Sequence, residues 1–198
     1  EVSVSPDGKK VLYTLTYYSI SENKGNAEIY TMNIDGSDVQ RLTTTASSEW
    51  NVIWNPKGDK IGFIYADENG VNIYEMNPDG TGRKAISDLK EGDLEGFSYS
   101  PDGTKVVYVR AVPKQDKYAK LKEGLDKTTG RINDDLAYRH WDNWVDAIPQ
   151  PFVADFDGKK IGEGKNILEN TEFESPMRPW GGMEQITWSP DSKSIAYT

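Results

Sequence analysis

Apolar and polar residues alternate in short runs along this chain, and the runs recur in register with one turn phrase. Val2/Val4, Trp50/Val52/Trp54, Phe97/Tyr99 and Ile186/Trp188 each alternate with polar or small neighbours. A period of two puts one side of an extended segment into a core, so each run predicts a β-strand. Each is followed by a tetrad: Ser5-Pro6-Asp7-Gly8, Asn55-Pro56-Lys57-Gly58, Ser100-Pro101-Asp102-Gly103 and Ser189-Pro190-Asp191-Ser192. Proline pre-sets φ, a short polar side chain caps the local backbone, and glycine tolerates positive φ. A second strand follows each tetrad, over Val11–Tyr17, Ile61–Tyr65, Val106–Val109 and Ile195–Tyr197.

A second hairpin repeats three times. Ile29-Tyr30-Thr31-Met32-Asn33-Ile34-Asp35-Gly36 and Ile73-Tyr74-Glu75-Met76-Asn77-Pro78-Asp79-Gly80 are near copies, and Pro151-Phe152-Val153-Ala154-Asp155-Phe156-Asp157-Gly158 is a looser one. Asp-Gly between apolar runs is a strong hairpin signal. Short outer strands are predicted near Arg41-Leu42, Lys84-Ala85-Ile86 and Asn166-Ile167-Leu168.

The tetrads begin at positions 5, 55, 100 and 189. The first two intervals each fit a four-stranded propeller blade. The third is longer by about one blade, yet all four strands of that unit are present. The excess therefore lies between its second and third strands, as an insertion over residues 112–148. The fold class expected is all-β: a partial β-propeller of four-stranded antiparallel blades with one inserted, partly helical segment. Residues 1–198 are read as one incomplete propeller, three blades and half of a fourth. A half-blade leaves an unpaired sheet edge, which natural proteins avoid. The ring is therefore expected to continue beyond this sequence, and the isolated stretch to dimerise or aggregate through strand pairing. The opening residue, Glu1, implies further sequence upstream.

Composition narrows the function. The formal net charge is −9, which argues against a nucleic-acid partner, because neutralising phosphates needs clustered Lys and Arg. There is no cysteine, which excludes thiol catalysis and zinc–thiolate sites but leaves the compartment open. No apolar run reaches the length of a membrane span. No cofactor or metal site is expected. Asp155-Phe156-Asp157-Gly158 lacks the other positions of a calcium loop and reads as a hairpin turn.

Candidate chemistry gathers in the insertion. Its first part, through Lys127, is charged. The second carries two tryptophans, the only histidine and several carboxylates between Ile132 and Asp146. Leu136, His140 or Trp141, and Trp144 fall near one face of a helix that Asn133 or Asp134 could cap. Arg139, His140, Trp141, Asp142, Trp144 and Asp146 are the candidate substrate-binding or gating residues, since long insertions in repeat scaffolds are often functional. The structural alternative is that both indoles only anchor the insertion to its blade. A nucleophile is not in view. Gly96-Phe97-Ser98-Tyr99-Ser100 lacks the last glycine of a nucleophile elbow and runs into a propeller turn. His140 has no serine partner in any motif.

The repeats resemble the propeller of TolB-like periplasmic proteins and the N-terminal propeller of the prolyl oligopeptidase family of serine peptidases. The tract Arg139-His140-Trp141-Asp142-Asn143-Trp144-Val145-Asp146, followed by Pro149-Gln150-Pro151-Phe152-Val153, favours the second family, in its bacterial dipeptidyl-peptidase and acylaminoacyl-peptidase branch. That resemblance covers essentially the whole chain but only the front part of such an enzyme. It implies a non-catalytic propeller that gates peptide access to an α/β-hydrolase domain of the same polypeptide and helps recognise the peptide substrate. The Ser-Asp-His triad would then lie beyond residue 198. The branch can use propeller acids to hold a substrate's amino terminus, and no residue here matches that motif cleanly. The resemblance also implies a periplasmic or secreted location. Two other readings remain open: a TolB-like protein-binding module without enzymatic activity, and a sugar- or polymer-binding propeller using exposed aromatics.

Overall fold

In the computed structural model, which describes residues 1–89, 93–114, 118–124, 127–133 and 139–198, each turn tetrad joins the first two strands of an antiparallel sheet. The first sheet is β1 (Val2–Val4), β2 (Lys10–Ser19), β3 (Lys24–Asn33) and β4 (Gln40–Arg41), in that order. The second is β5 (Glu49–Trp54), β6 (Ile61–Asp67), β7 (Gly70–Met76) and β8 (Lys84–Ala85). In the third, β9 (Leu94–Tyr99) and β10 (Lys105–Pro113) are separated in sequence, but not in space, from β13 (Ala147–Asp155) and β14 (Lys165–Asn166). Between them the insertion adds a two-stranded ribbon, β11 (Arg139–His140) and β12 (Asn143–Trp144). A final pair, β15 (Ile186–Trp188) and β16 (Ile195–Tyr197), follows the fourth tetrad. The sheets are all-β and antiparallel, as a partial propeller requires.

The apolar runs explain why sheets stack rather than lie with one side in water. On β10, Val106 and Tyr108 pack into the cluster shared with the second sheet, beside Ile64, Ile73 and Ile86. The alternate residues Val107 and Val109 pack the other way, onto Ile186 of β15. A strand buried on both sides reads as a continuous apolar run, and each fully buried side chain contributes about 1.5–3 kcal/mol. Leu12 and Ile29 likewise meet Val52, Trp54, Ile61 and Phe63 between the first and second sheets.

The tetrads fall at equivalent corners. Ser5 and Ser100 each bond an Asp carboxylate two residues on, at 2.6 and 2.7 Å, and Gly8 and Gly103 share φ near 71°. Pro6 packs by Gly58, and Pro56 packs by Gly103. In the fourth tetrad Ser192 takes the left-handed place that glycine holds in the others, with φ 60°. Its hydroxyl compensates by accepting the Asp102 N–H at 3.0 Å, which ties the fourth turn to the third.

The opposite ends of the first strands are joined by another repeated device. Four residues before each tetrad stand Glu1, Asn51, Gly96 and Gln185. The Glu1 carboxylate accepts the Val52 N–H at 3.0 Å. Asn51 repeats this step toward the third sheet. Gly96 has no side chain to continue it; a Cβ there would collide with Met183.

The insertion departs from the helix expected within 133–144. Residues 134–138, including Asp134 and Leu136, lie outside the described residues. Beyond them, His140 pairs with Asn143 and Arg139 with Trp144, so this stretch is a ribbon. The only helical turn in the described part of the insertion is a 3-10 turn, Ala119–Lys122. The flanking strands run further than the apolar runs imply, with Pro113 opposite Ala147. Two prolines fit inside β13 because the carbonyls of Pro149 and Pro151 face outward, accepting from Ser175 and Ile167. Their ring nitrogens face the same way, where β10 needs no donor.

Candidate functional site

The ribbon turns at Trp141 and Asp142. Trp141 adopts φ 56°, a left-handed conformation unusual for a bulky residue. The turn is braced from within: Arg139 Nη2 donates to the Asp142 carbonyl at 3.0 Å. Arg139 lies 4.7 Å from the centre of the Trp144 ring, and Arg131 lies 4.4 Å from it. Guanidinium over indole is the strongest of the cation–π pairings, and exposed examples contribute about 0.5–1 kcal/mol. Arg131 Nη1 also donates to both carboxylate oxygens of Asp146, at 2.6 and 2.7 Å. The Asp146 carbonyl accepts the Lys114 N–H at 2.8 Å, extending the β10–β13 ladder by one rung. Arg131, Trp144 and Asp146 therefore form the root of the ribbon.

Its tip reaches elsewhere. Trp141 meets Trp180 edge to face, with ring centres 5.9 Å apart. Both indoles remain open to solvent, 78% and 80% exposed. Trp180 belongs to the connection between β14 and β15, so the tip lies across the approach to the fourth unit. The same connection carries an ion pair, Arg178 Nη2 to Glu174 Oε2 at 2.8 Å.

Arg178 and Glu174 act electrostatically on Glu95, at the bulge where β9 shifts register against β10. Although the Glu95 side chain is exposed, partial desolvation at the bulge pushes its carboxyl up from its ordinary value. Arg178 opposes the shift, while Asp93 and Glu174 add to it. Glu95, Asp93, Glu174 and the ribbon root all lie at the end of the third sheet from which the insertion leaves.

The structure thus brings five of the six predicted residues, Arg139, Trp141, Asp142, Trp144 and Asp146, into one braced ribbon. His140, half-buried, pairs with Asn143 in the ribbon backbone. Sequence reasoning missed Arg131, Trp180, Glu95, Glu174 and Arg178. Trp180 stands in Arg178-Pro179-Trp180-Gly181-Gly182, an aromatic isolated among chain-bending residues, which was its only signal. Ser98 lies within β9, as its position before a tetrad implied. Asp157 Oδ1 accepts the N–H groups of Lys159 and Lys160, so it serves its own turn. Among the described residues no group of three or more His, Asp or Glu is arranged to hold a metal ion. No helix among them is long and apolar enough to cross a membrane.

The TolB beta propeller domain family matches residues 1–141. The chain belongs to that family. It is 39% identical over 197 residues to dipeptidyl-peptidase 5 of Porphyromonas gingivalis, all of this chain aligning with 29% of that protein. Acylaminoacyl peptidase of Pyrococcus horikoshii shares the fold with a TM-score of 0.62 at 16% identity, over 84% of this chain and 24% of that one. A putative TolB of Agrobacterium tumefaciens shares it with a TM-score of 0.54 at 22% identity, over 99% of this chain and 57% of that one. The chain spans under a third of the curated relative's length.

Proposed function

We propose that this chain is the non-catalytic propeller of a serine dipeptidyl- or oligopeptidase, where it gates peptide access and helps recognise the substrate. The observation that carries the reading is the 39% identity to dipeptidyl-peptidase 5 along the entire chain. Peptide-bond hydrolysis is assigned to a Ser-Asp-His triad in an α/β-hydrolase domain of the same polypeptide, and that domain is the propeller's main partner. Further blades, a homodimer and a periplasmic or secreted location belong to the same proposal. The ribbon supports a gating role: its root is braced by Arg131, and at its tip the exposed Trp141 meets Trp180 edge to face. Arg139, Trp141, Asp142 and Trp144 would then meet an incoming peptide, with His140 and Asp146 setting the ribbon's position.

The test uses the full-length polypeptide. It should release chromogenic dipeptides from a free amino terminus. Replacing residues 139–144 by a short Gly-Ser turn should leave small substrates cleaved but change the size cut-off for longer peptides. An unchanged cut-off would remove the gate. The 198-residue stretch alone should hydrolyse nothing.

A second reading, a TolB-like protein-binding module, is favoured by the family match and by the near-complete alignment to a putative TolB. It requires that the full-length protein bind protein partners and show no peptidase activity.

A further inference from the structure

A pocket of about 390 Å³ opens between the outer connection of the second sheet and the face of the third. Its floor is the stacked pair Tyr108 and Phe152, 5.5 Å apart with planes 9° from parallel. Arg110 and Lys160 line it, as do Asp88, Glu163 and the glycines on either side of Glu163.

The internal repeat shows what is unusual here. Tyr13/Tyr30 and Phe63/Tyr74 are the equivalent cross-strand stacks of the first and second sheets. In both of those sheets an arginine of the outer segment is paired with a buried carboxylate, though from different register places: Arg41 stands opposite Tyr30, and Arg83 two residues before Ala85, which stands opposite Tyr74. Arg41 lies over Tyr17 and reaches Glu28 at 3.1 Å. Arg83 lies 3.9 Å over Tyr65, close to the Phe63/Tyr74 stack, and reaches Glu49 at 3.1 Å. The registers Tyr74↔Ala85 and Phe152↔Asn166 make Gly164 the counterpart of Arg83. A Cβ at Gly164 would collide with the Tyr108 hydroxyl, so no side chain can fill the space as Arg83 does.

A guanidinium is still present, but it comes from β10. Arg110 lies 5.7 Å from the Phe152 ring centre. Among the described residues it has no carboxylate partner, and neither does Lys160. The third sheet therefore keeps the aromatic stack and the cation of its siblings. It lacks the carboxylate that Glu28 and Glu49 supply, and it leaves open the volume that Arg83 fills.

We propose that this pocket binds a ligand carboxylate against Arg110 and Lys160, with the ligand's body on the Tyr108/Phe152 stack, and that the ligand is a zwitterionic amino acid or short peptide. A guanidinium, whose five donors are not exhausted by the Tyr108 hydroxyl beside it, is the favoured receptor for a carboxylate. Glu163 at the rim supplies the opposite charge for the ligand's ammonium. The volume suits one or two residues. None of the ribbon residues lines the pocket.

The test is titration of the full-length protein with glycyl-phenylalanine, followed by calorimetry and saturation-transfer NMR. Binding at or below about 1 mM is expected. Arg110→Gln should weaken it about tenfold or more and Lys160→Gln about threefold, each with an unchanged melting temperature. The carboxy-amidated dipeptide should lose as much as Arg110→Gln does. Free phenylalanine and Gly-Gly-Gly-Phe separate the sources: equal binding of the amino acid points to a free metabolite, and preference for the tetrapeptide points to a peptide tail. Equal affinity of wild type and Lys160→Gln, or of the acid and its amide, overturns the proposal even if Arg110→Gln does not fold.

Discussion

Asn51 on β5 holds the backbone of Phe97 on β9 by both of its polar groups. Asn51 Nδ2 donates to the Phe97 carbonyl at 2.9 Å, and its Oδ1 accepts the Phe97 N–H at 3.1 Å. The side-chain amide thus substitutes for a missing strand and joins two sheets that share no ladder. Asn51 itself has φ 52° and sits where β5 shifts register against β6, so the local bulge turns its side chain out of the ladder.

Asn51→Gly keeps the backbone conformation and removes both bonds. It should cost about 1–3 kcal/mol, measured by urea unfolding, because the Phe97 peptide groups are left without partners. Asn51→Ala should cost about 1 kcal/mol more, since a Cβ without the amide gains nothing at positive φ. Equal stability of the glycine variant and the wild type would mean that water replaces the amide at no loss.

The Trp141–Trp180 contact predicts coupling across the tip of the ribbon. Trp141→Ala and Trp180→Ala should each raise proteolytic cleavage near residues 139–144, and the double variant should be no worse than either single one. A double-mutant cycle should return about 0.5–1 kcal/mol. Additive effects would show that the two indoles act separately.

Glu95 predicts a pH dependence with a definite sign. Its folded-state pKa is raised, chiefly by partial desolvation at the bulge. Its favourable contribution is therefore complete below the unfolded carboxyl value and is lost as pH rises through the folded value. Glu95→Gln removes that loss. The variant should match the wild type near pH 4 and become progressively more stable than it toward pH 8, read from melting temperatures across that range. A constant difference at all pH values would show that the carboxyl does not titrate in this window.

The turn aspartates act in the other direction. Ser100 and the Thr104 N–H lower the Asp102 carboxyl from 3.8 to about 2, and Asp7, Asp79 and Asp191 are lowered by the same kind of turn hydrogen bonds. Stability from Asp102 is present above its unfolded value and is lost as pH falls from about 4 toward 2. Asp102→Asn should flatten the acid limb of the stability profile by lowering stability in the neutral region, while the variant and the wild type converge near pH 2. Circular dichroism through an acid titration reads this directly.

The repeated scaffold was legible because its signals are local. The tetrads and the Asp-Gly turns each need particular φ values, and those needs appear as particular residues. The run Val106–Val109 was legible as a strand for the same reason. The ribbon was not. Leu136, His140 and Trp144 are four residues apart, which suits a helix, while the left-handed Trp141 that turns the chain leaves no periodic trace. The contact that places Trp141 lies about forty residues further along. The raised Glu95 and the Asn51 clamp likewise depend on neighbours from other sheets, which no window of sequence displays. The pocket at Gly164 is an intermediate case: the repeat aligns the positions, but only the pairing register shows that a glycine stands where Arg83 does.

The joint between the third and fourth units differs from the two before it. Where Glu1 and Asn51 reach across with directional bonds, Gly96 offers bare backbone and Met183 rests against it. A thioether on a glycine resists separation but not sliding. Load applied at the paired indoles would be taken up by shear at this end of the seam, while the Ser192–Asp102 bond pins its other end.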